Sequence, residues 1–244
     1  LGNEPDGYNI NDKSGALYPQ KVSEAVQKYR ADLGITLDGD ADRVILIDEL
    51  GKIVNGDHIL AICAIDMKQN GDLPQNTIVA TQMSNFGLDQ LLSQHGIKVV
   101  RANVGDKNVV EAMRSEGFTL GGEQSGHIIF LNQSTTGDGC VAALNVLAVM
   151  LRQKKKLSEL NQLVKDLPQV LINTRVSKKT ALDDIPGFNE LLEQYQNKIA
   201  QQGRIFVRYS GTEPVIRVLV EGREKNMISR IAEDLSGFLQ RKLT

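Results

Sequence analysis

An α/β fold followed by a small α+β domain is predicted for this 244-residue chain by three observations. Between residues 77 and 152, short apolar runs alternate with helical patterns, the signature of βαβ units and a mostly parallel sheet. Acidic and glycine-rich loops stand at the ends of several of these runs, where α/β folds gather ligands. Beyond about residue 167 the rhythm changes to strand, helix, two strands and helix, which is an α+β order.

The first 15 residues, LGNEPDGYNINDKSG, carry Gly, Asn and Asp without periodicity and read as loop. Val22, Ala25, Val26 and Tyr29 recur at helical spacing, which predicts a helix over 21–31. The run at 33–37 is a strand that leads directly into Asp38. Runs at 44–47 and 52–54 flank Glu49-Leu50-Gly51 and form a hairpin. A helix follows over 57–68. Strands are then expected at 77–80, 97–101, 118–120 and 127–131. Helices are expected at 88–94, 107–115 and 139–152. Lys154, Lys155 and Lys156 form a solvated helix end. The last quarter gives a strand at 170–176, a helix at 188–201, an antiparallel pair at 204–208 and 214–220, and a closing helix at 225–241.

Hydrophobic residues make up 41% and charged residues 24%, enough apolar material for a core, which excludes disorder as the main state. Lys plus Arg is 28 and Asp plus Glu is 30, a net charge of −2. That balance lacks the basic excess of a dedicated nucleic-acid binder, so no nucleic-acid partner is expected. The longest apolar run, 141–151, is broken by Asn145 and is too short to span a bilayer. No basic-then-apolar leader opens the sequence, so no membrane association and a cytoplasmic location are expected. Cys63 and Cys140 both lie in apolar, helix-like surroundings and are expected as two buried free thiols.

The densest chemistry is Asp38-Gly39-Asp40-Ala41-Asp42-Arg43. Three carboxylates at alternating positions repel one another unless a cation neutralises them. Hard oxygen donors select Mg²⁺ or Ca²⁺. Asp38, Asp40, Asp42 and Glu49 also fall on positions 1, 3, 5 and 12 of an EF-hand loop. Arg43 then occupies the position that needs glycine, and 44–47 reads as strand. The nucleophile motif of haloacid-dehalogenase-type phosphatases and a plain acidic turn are further readings. A Mg²⁺ loop serving phosphoryl transfer, with Arg43 facing a phosphate, fits the residues best.

Two more clusters bear on ligands. In Gly121-Gly122-Glu123-Gln124-Ser125-Gly126-His127, Glu123 and Ser125 sit two apart and face the same way in an extended loop. A carboxylate beside a hydroxyl suits vicinal sugar hydroxyls; a glycine-rich turn is the plainer reading. His127 is a candidate acid or base near neutral pH, and a hydrogen-bonded histidine at a strand start is the alternative. In Arg208-Tyr209-Ser210-Gly211-Thr212-Glu213-Pro214, with Arg217 behind, two guanidinium forks bracket hydroxyls and backbone amides, a cradle for an anion. A hairpin turn with exposed arginines is the plainer reading there. At Val104-Gly105-Asp106-Lys107, Asp106 is a plausible N-cap and Lys107 could meet an anion. Thr135-Thr136-Gly137-Asp138-Gly139 reads as the cap of the long helix that follows.

DGDADR, GEQSGH and RYSGTEP, in this order and at this spacing, resemble the α-D-phosphohexomutases over essentially the whole chain. PDGYNIN, MSNFGL and TTGDG are similar to the bacterial branch that interconverts glucosamine 6-phosphate and glucosamine 1-phosphate, feeding cell-wall precursor synthesis. The resemblance implies tandem phosphohexomutase-type domains: part of domain 2 over 1–54, domain 3 over 55–166 and domain 4 over 167–244. It implies Mg²⁺ on Asp38, Asp40 and Asp42. Arg43, Lys107 and His127 would serve catalysis. Glu123 and Ser125 would grip sugar hydroxyls, and Arg208, Ser210, Gly211, Thr212 and Arg217 would hold the phosphate that is not reacting.

A hexosamine phosphate is the implied substrate; a sibling mutase acting on mannose or glucose phosphates and a non-catalytic sugar-phosphate-binding module are the alternatives. The family's carrier serine lies in a T-A-S-H-N-P-like motif that this sequence does not contain. With Leu1 in place of Met, this reads as the C-terminal portion of a longer enzyme, inactive alone, whose N-terminal domain is a partner and whose full-length form could be a homodimer. Ala41 stands where the family loop usually has glycine, which puts strain on any φ > 0 there.

Overall fold

The structure is a computed structural model and describes residues 1–211 and 213–244. The chain forms two compact units, Leu1–Lys165 and Asp166–Thr244.

The first unit begins with a long loop and α1 (Gln20–Tyr29), which packs on β1 (Leu33–Leu37). β1, β2 (Val44–Asp48) and β3 (Ile53–Val54) form a three-stranded sheet in that order. The pairing runs antiparallel from Leu33 opposite Asp48 to Leu37 opposite Val44. The β2–β3 hairpin stands as expected, and the alternation that predicts parallel pairing begins only at residue 77. Only residues 38–43 join β1 to β2, too few for the crossover that parallel strands need.

The second sheet has the order β5-β4-β6-β7, with β4 (Thr77–Thr81), β5 (Lys98–Ala102), β6 (Leu120–Gly122) and β7 (Ile128–Phe130). β4 runs parallel to β5 and β6, and β7 closes one edge antiparallel. The strand expected at 118–120 lies two residues later. Phe118 packs into a core cluster with Val109 and Met113, and pairing starts at Leu120.

Helices cover both faces, as a buried parallel sheet requires. α2 (Gly56–Gln69) is buried from Gly56 to Asp66, which suits a helix that is apolar nearly all round. It shares the main core with α3 (Phe86–Gln94) and α5 (Gly139–Gln153) through Ile59, Ile62, Leu88, Leu92, Ala142 and Val146. Each such buried Ile, Leu or Val side chain contributes about 1.5–3 kcal/mol. α4 (Asp106–Glu116) packs on β4 and β6.

Side-chain caps fix where these helices start. Asn55 accepts from the amides of Asp57 and His58, Asn85 from Gly87, and Asp138 from Val141. Asp106 does not cap α4 as expected: Gly105 occupies the cap position and Asp106 is the first helical residue, where its charge still favours the helix dipole. Cys63 is buried as expected, and burial pushes its thiol up to about 12. Cys140 is instead exposed, on the solvent side of α5 with Leu144 and Leu151.

A buried polar network ties the β2–β3 hairpin to the second half of the unit. Asp48 Oδ1 accepts from the amides of Leu50 (3.0 Å) and Lys52 (2.8 Å). Its Oδ2 accepts from Asn161 Nδ2 at 3.1 Å, and Asn161 Oδ1 lies 2.5 Å from His58 Nδ1. Asn161 belongs to α6 (Leu157–Asn161). Glu49, the twelfth position of the EF-hand reading, accepts from the hydroxyl (2.6 Å) and amide (3.2 Å) of Ser158 instead.

The second unit is an antiparallel sheet ordered β8-β10-β9, from β8 (Gln169–Arg175), β9 (Gly203–Tyr209) and β10 (Val215–Gly222). Ile216, Val218 and Val220 alternate along β10 and face α7 (Phe188–Ile199) and α8 (Lys225–Leu243), whose Phe188, Ile231, Leu235 and Leu239 complete the core. Among the described residues, no helix is long and apolar enough to cross a membrane.

Burial opposes ionisation of Glu49, but the bonds from Ser158 and its own backbone prevail and hold its carboxyl below the usual range. A carboxyl whose folded pKa is depressed adds stability above its unfolded pKa and loses it as pH falls through the folded value. Urea melts should therefore show a loss of stability below about pH 4, and Ser158→Ala should flatten that dependence. Equal acid dependence in the two proteins would show that Ser158 does not control Glu49.

Candidate active site

β1 and β2 hold residues 38–43 as a short loop between paired strand ends. One carboxylate oxygen each from Asp38, Asp40 and Asp42 lies within 4.8 Å of the others. The loop is pinned from within: Ala41 N donates to Asp38 O (3.2 Å) and Arg43 N to Asp38 Oδ1 (3.1 Å). It is also pinned from outside, where the first amide of α5, Gly139 N, donates to Ala41 O at 2.9 Å.

Burial raises the Asp42 pKa, and the neighbouring charges of Asp38 and Asp40 add to the rise against the opposing pull of His127. Asp42 Oδ1 and Arg43 Nε are buried without a hydrogen-bond partner among the described residues. An all-oxygen donor set with an unsatisfied buried carboxylate oxygen fits a hard divalent cation such as Mg²⁺.

The glycine-rich cluster forms the tip of the β6–β7 hairpin. Gly126 N donates to Glu123 O (3.0 Å) and Glu123 N to His127 O (2.9 Å). Glu123 Oε2 accepts from the Ser125 hydroxyl at 3.2 Å, so the two side chains do share one side. Glu123 Oε1 accepts from Gly105 N at 3.0 Å, which brings in the loop before α4. Lys107 is exposed in the first turn of that helix.

Backbone bonds clasp this hairpin to the acidic loop. Val44 N donates to Gly126 O at 3.0 Å, Gly56 N to Gln124 O at 3.0 Å, and Arg43 pairs with His127 as an antiparallel bridge. Gly126 has φ +96°, and a Cβ there would fall 2.2 Å from Val44 O, so only glycine permits the approach. His127 Nδ1 lies 3.2 Å from Asp42 Oδ2.

The third cluster lies in the second unit. Arg208 and Arg217 are directly opposed on β9 and β10. Burial lowers the Arg208 pKa, and the charge of Arg217 lowers it further. Arg217 pairs with Glu213 at 3.1 Å, while its Nε is buried without a hydrogen-bond partner among the described residues. Ser210 is buried: its amide donates to Val215 O (2.8 Å), its hydroxyl accepts from Glu213 N (3.3 Å), and its carbonyl accepts from Lys179 Nζ (2.7 Å). Gly211 is exposed, and Thr212 lies outside the described residues. Opposed like charges destabilise a strand pair unless something offsets them.

Sequence reasoning missed Gly105, Gly139 and Lys179. Gly139 stood within the TTGDG stretch, legible there only as helix capping. Gly105 stood beside Asp106, legible only as part of a helix start, and Lys179 reaches Ser210 O through a long-range side-chain bond that leaves no local pattern.

The Phosphoglucomutase/phosphomannomutase family models match this chain over residues 55–167 (alpha/beta/alpha domain III) and residues 171–237 (C-terminal domain). The chain belongs to this phosphohexomutase family. Among its members, the phosphoglucosamine mutase of Bdellovibrio bacteriovorus is 60% identical over 244 residues, which is 100% of this chain and 53% of that protein. The chain thus spans about half the length of the curated relatives it matches. Its fold is similar to that of Aspergillus fumigatus N-acetylphosphoglucosamine mutase, with a TM-score of 0.76 at 23% identity over 95% of this chain and 53% of that one. A structure of that enzyme in complex with GlcNAc-6P and magnesium matches with a TM-score of 0.69 at 23% identity, over 95% of this chain and 53% of that one.

Ala41 has φ +60°, in the left-handed region where its Cβ is crowded. Ala41→Gly should stabilise the chain by up to about 1 kcal/mol in urea unfolding, after the greater freedom of glycine in the unfolded state is subtracted. A loss of stability would show that the loop does not hold this conformation.

Proposed function

We propose that this chain is the metal-, sugar- and phosphate-binding portion of a phosphoglucosamine mutase, which interconverts glucosamine 6-phosphate and glucosamine 1-phosphate by phosphoryl transfer. The observation that carries the reading is the backbone clasp between a three-carboxylate loop and a Glu–Ser hairpin. It brings three carboxylates and a carboxylate–hydroxyl pair side by side.

Asp38, Asp40 and Asp42 would hold Mg²⁺, which supplies charge neutralisation to a transferring phosphoryl group. Arg43 and Lys107 would add positive charge for a phosphoryl group. Glu123 is held by Gly105 and Ser125 in one rotamer, so its carboxylate accepts from sugar hydroxyls without reorganising first. Arg208, Ser210, Gly211, Thr212 and Arg217 take a phosphate group, and an anion there offsets the repulsion of the opposed arginines. The family's phosphoserine would come from the longer protein. Residues 1–54 are assigned to domain 2, 55–166 to domain 3 and 167–244 to domain 4; the domain III match at 55–167 supports the first of these boundaries.

Mg²⁺ should raise the melting temperature of the purified chain, and Asp40→Asn should abolish the response. A variant that responds as strongly as its parent removes the acidic loop as the metal site. Phosphate titrations test the second unit. Arg217→Ala should weaken binding by about ten- to a hundredfold, the loss of about 1.5–3 kcal/mol of charge-assisted bonding. Unchanged affinity would show that the anion binds elsewhere.

A further inference from the structure

His127 is the one titratable side chain at the acidic loop's edge that sequence reasoning offers as an acid or base, and its surroundings fit a different task. The residue is 2% exposed. Its two ring nitrogens are unlike. Nδ1 lies 3.2 Å from Asp42 Oδ2, while Nε2 is buried and has no hydrogen-bond partner among the described residues. Gly137 covers the ring: a Cβ at that position would fall 2.4 Å from Cε1 and from Nε2. A sugar arriving from solvent has no surface through which to exchange a proton with Nε2.

Asp42 shows the complementary arrangement. Its Oδ2 faces the histidine, and its Oδ1 is buried without a donor among the described residues. A carboxylate on a short turn can rotate about its last bond, and two like charges nearby push it away from convergence. A donor fixed on one oxygen removes that freedom and leaves the other oxygen for a cation. The backbone of His127 is itself fastened to the loop through its bridge with Arg43, so the donor and the carboxylate move as one piece.

We propose that His127 is a positioning residue whose Nδ1–H donates to Asp42 Oδ2 and so presents Asp42 Oδ1 to the metal. This rests on the metal reading of the acidic loop. Supporting hydrogen bonds behind a ligand are worth about 10–100-fold in metal affinity. The geometry also makes an asymmetric demand. Asparagine places its amide nitrogen where Nδ1 stands, and glutamine places its amide nitrogen nearer to Nε2.

The experiment is calorimetric titration of Mg²⁺ into the purified 244-residue chain and into His127→Asn, His127→Gln and Asp40→Asn. Parent binding that Asp40→Asn abolishes establishes the metal site independently of the histidine. On that background, His127→Asn should keep affinity within about threefold of the parent, and His127→Gln should lose about tenfold or more. Equal affinities for both histidine variants, or better retention by glutamine, overturn the inference while leaving the metal site intact. No binding by the parent instead sinks the metal reading, and the inference with it.

A measurement on the parent chain guards against misfolded variants. Nitrogen-15 spectra of labelled histidine should show the His127 proton on Nδ1 and a bare Nε2. The opposite tautomer overturns the proposal without any substitution.

Discussion

The first unit depends on one short piece of backbone pairing, where Val44 N–H meets Gly126 O and Arg43 bridges His127. On one side of that pairing stands a turn with three carboxylates, and on the other a hairpin tip with a carboxylate and a hydroxyl. Neither loop has a core of its own. Each is held because β2 and the β6–β7 hairpin are anchored in packed sheets behind it. Gly56 N adds a third fastening by donating to Gln124 O, so the start of the most buried helix is joined to the same tip. The site is therefore as stiff as the two sheets, although it is made of loops.

Both charged clusters hold like charges together. In the acidic loop, burial and mutual repulsion raise the Asp42 pKa. In the second unit, Arg208 and Arg217 face each other across a strand pair, and burial lowers the Arg208 pKa. A fold tolerates such arrangements because packing elsewhere covers their cost. The like charges are held in place by the fold itself, which is the electrostatic counterpart of the stiffness above.

Much of this was legible in the sequence, for local reasons. The capping stretch that ends at Asp138-Gly139 and the apolar run of α5 mark that helix to within a residue. The three clusters stand out because carboxylates, hydroxyls and guanidinium groups rarely collect so densely in one stretch. What escaped reading was non-local. The antiparallel first sheet follows from a loop too short to cross over, but pairing partners carry no sequence label. Gly121 and Gly122 read as loop yet pair beside Val79 and Ala80 on β4. Asp106 yields its capping place to Gly105, whose amide is held by Glu123, 18 residues away. Cys140 sits on an apolar helix, and periodicity does not say which face of such a helix meets solvent.

The two thiols turn that last difference into a clock. Cys140 stands in solvent and is open to a thiol reagent in the native chain, whereas Cys63 is enclosed within α2. Labelling of Cys63 therefore waits for an opening of the helix, and its rate reports how often that part of the core comes apart. Because α2 begins at the hydrogen bond between Gly56 and Gln124, the same rate reads the integrity of the hairpin tip. Any ligand that tightens the clasp would slow the second label and leave the first unchanged.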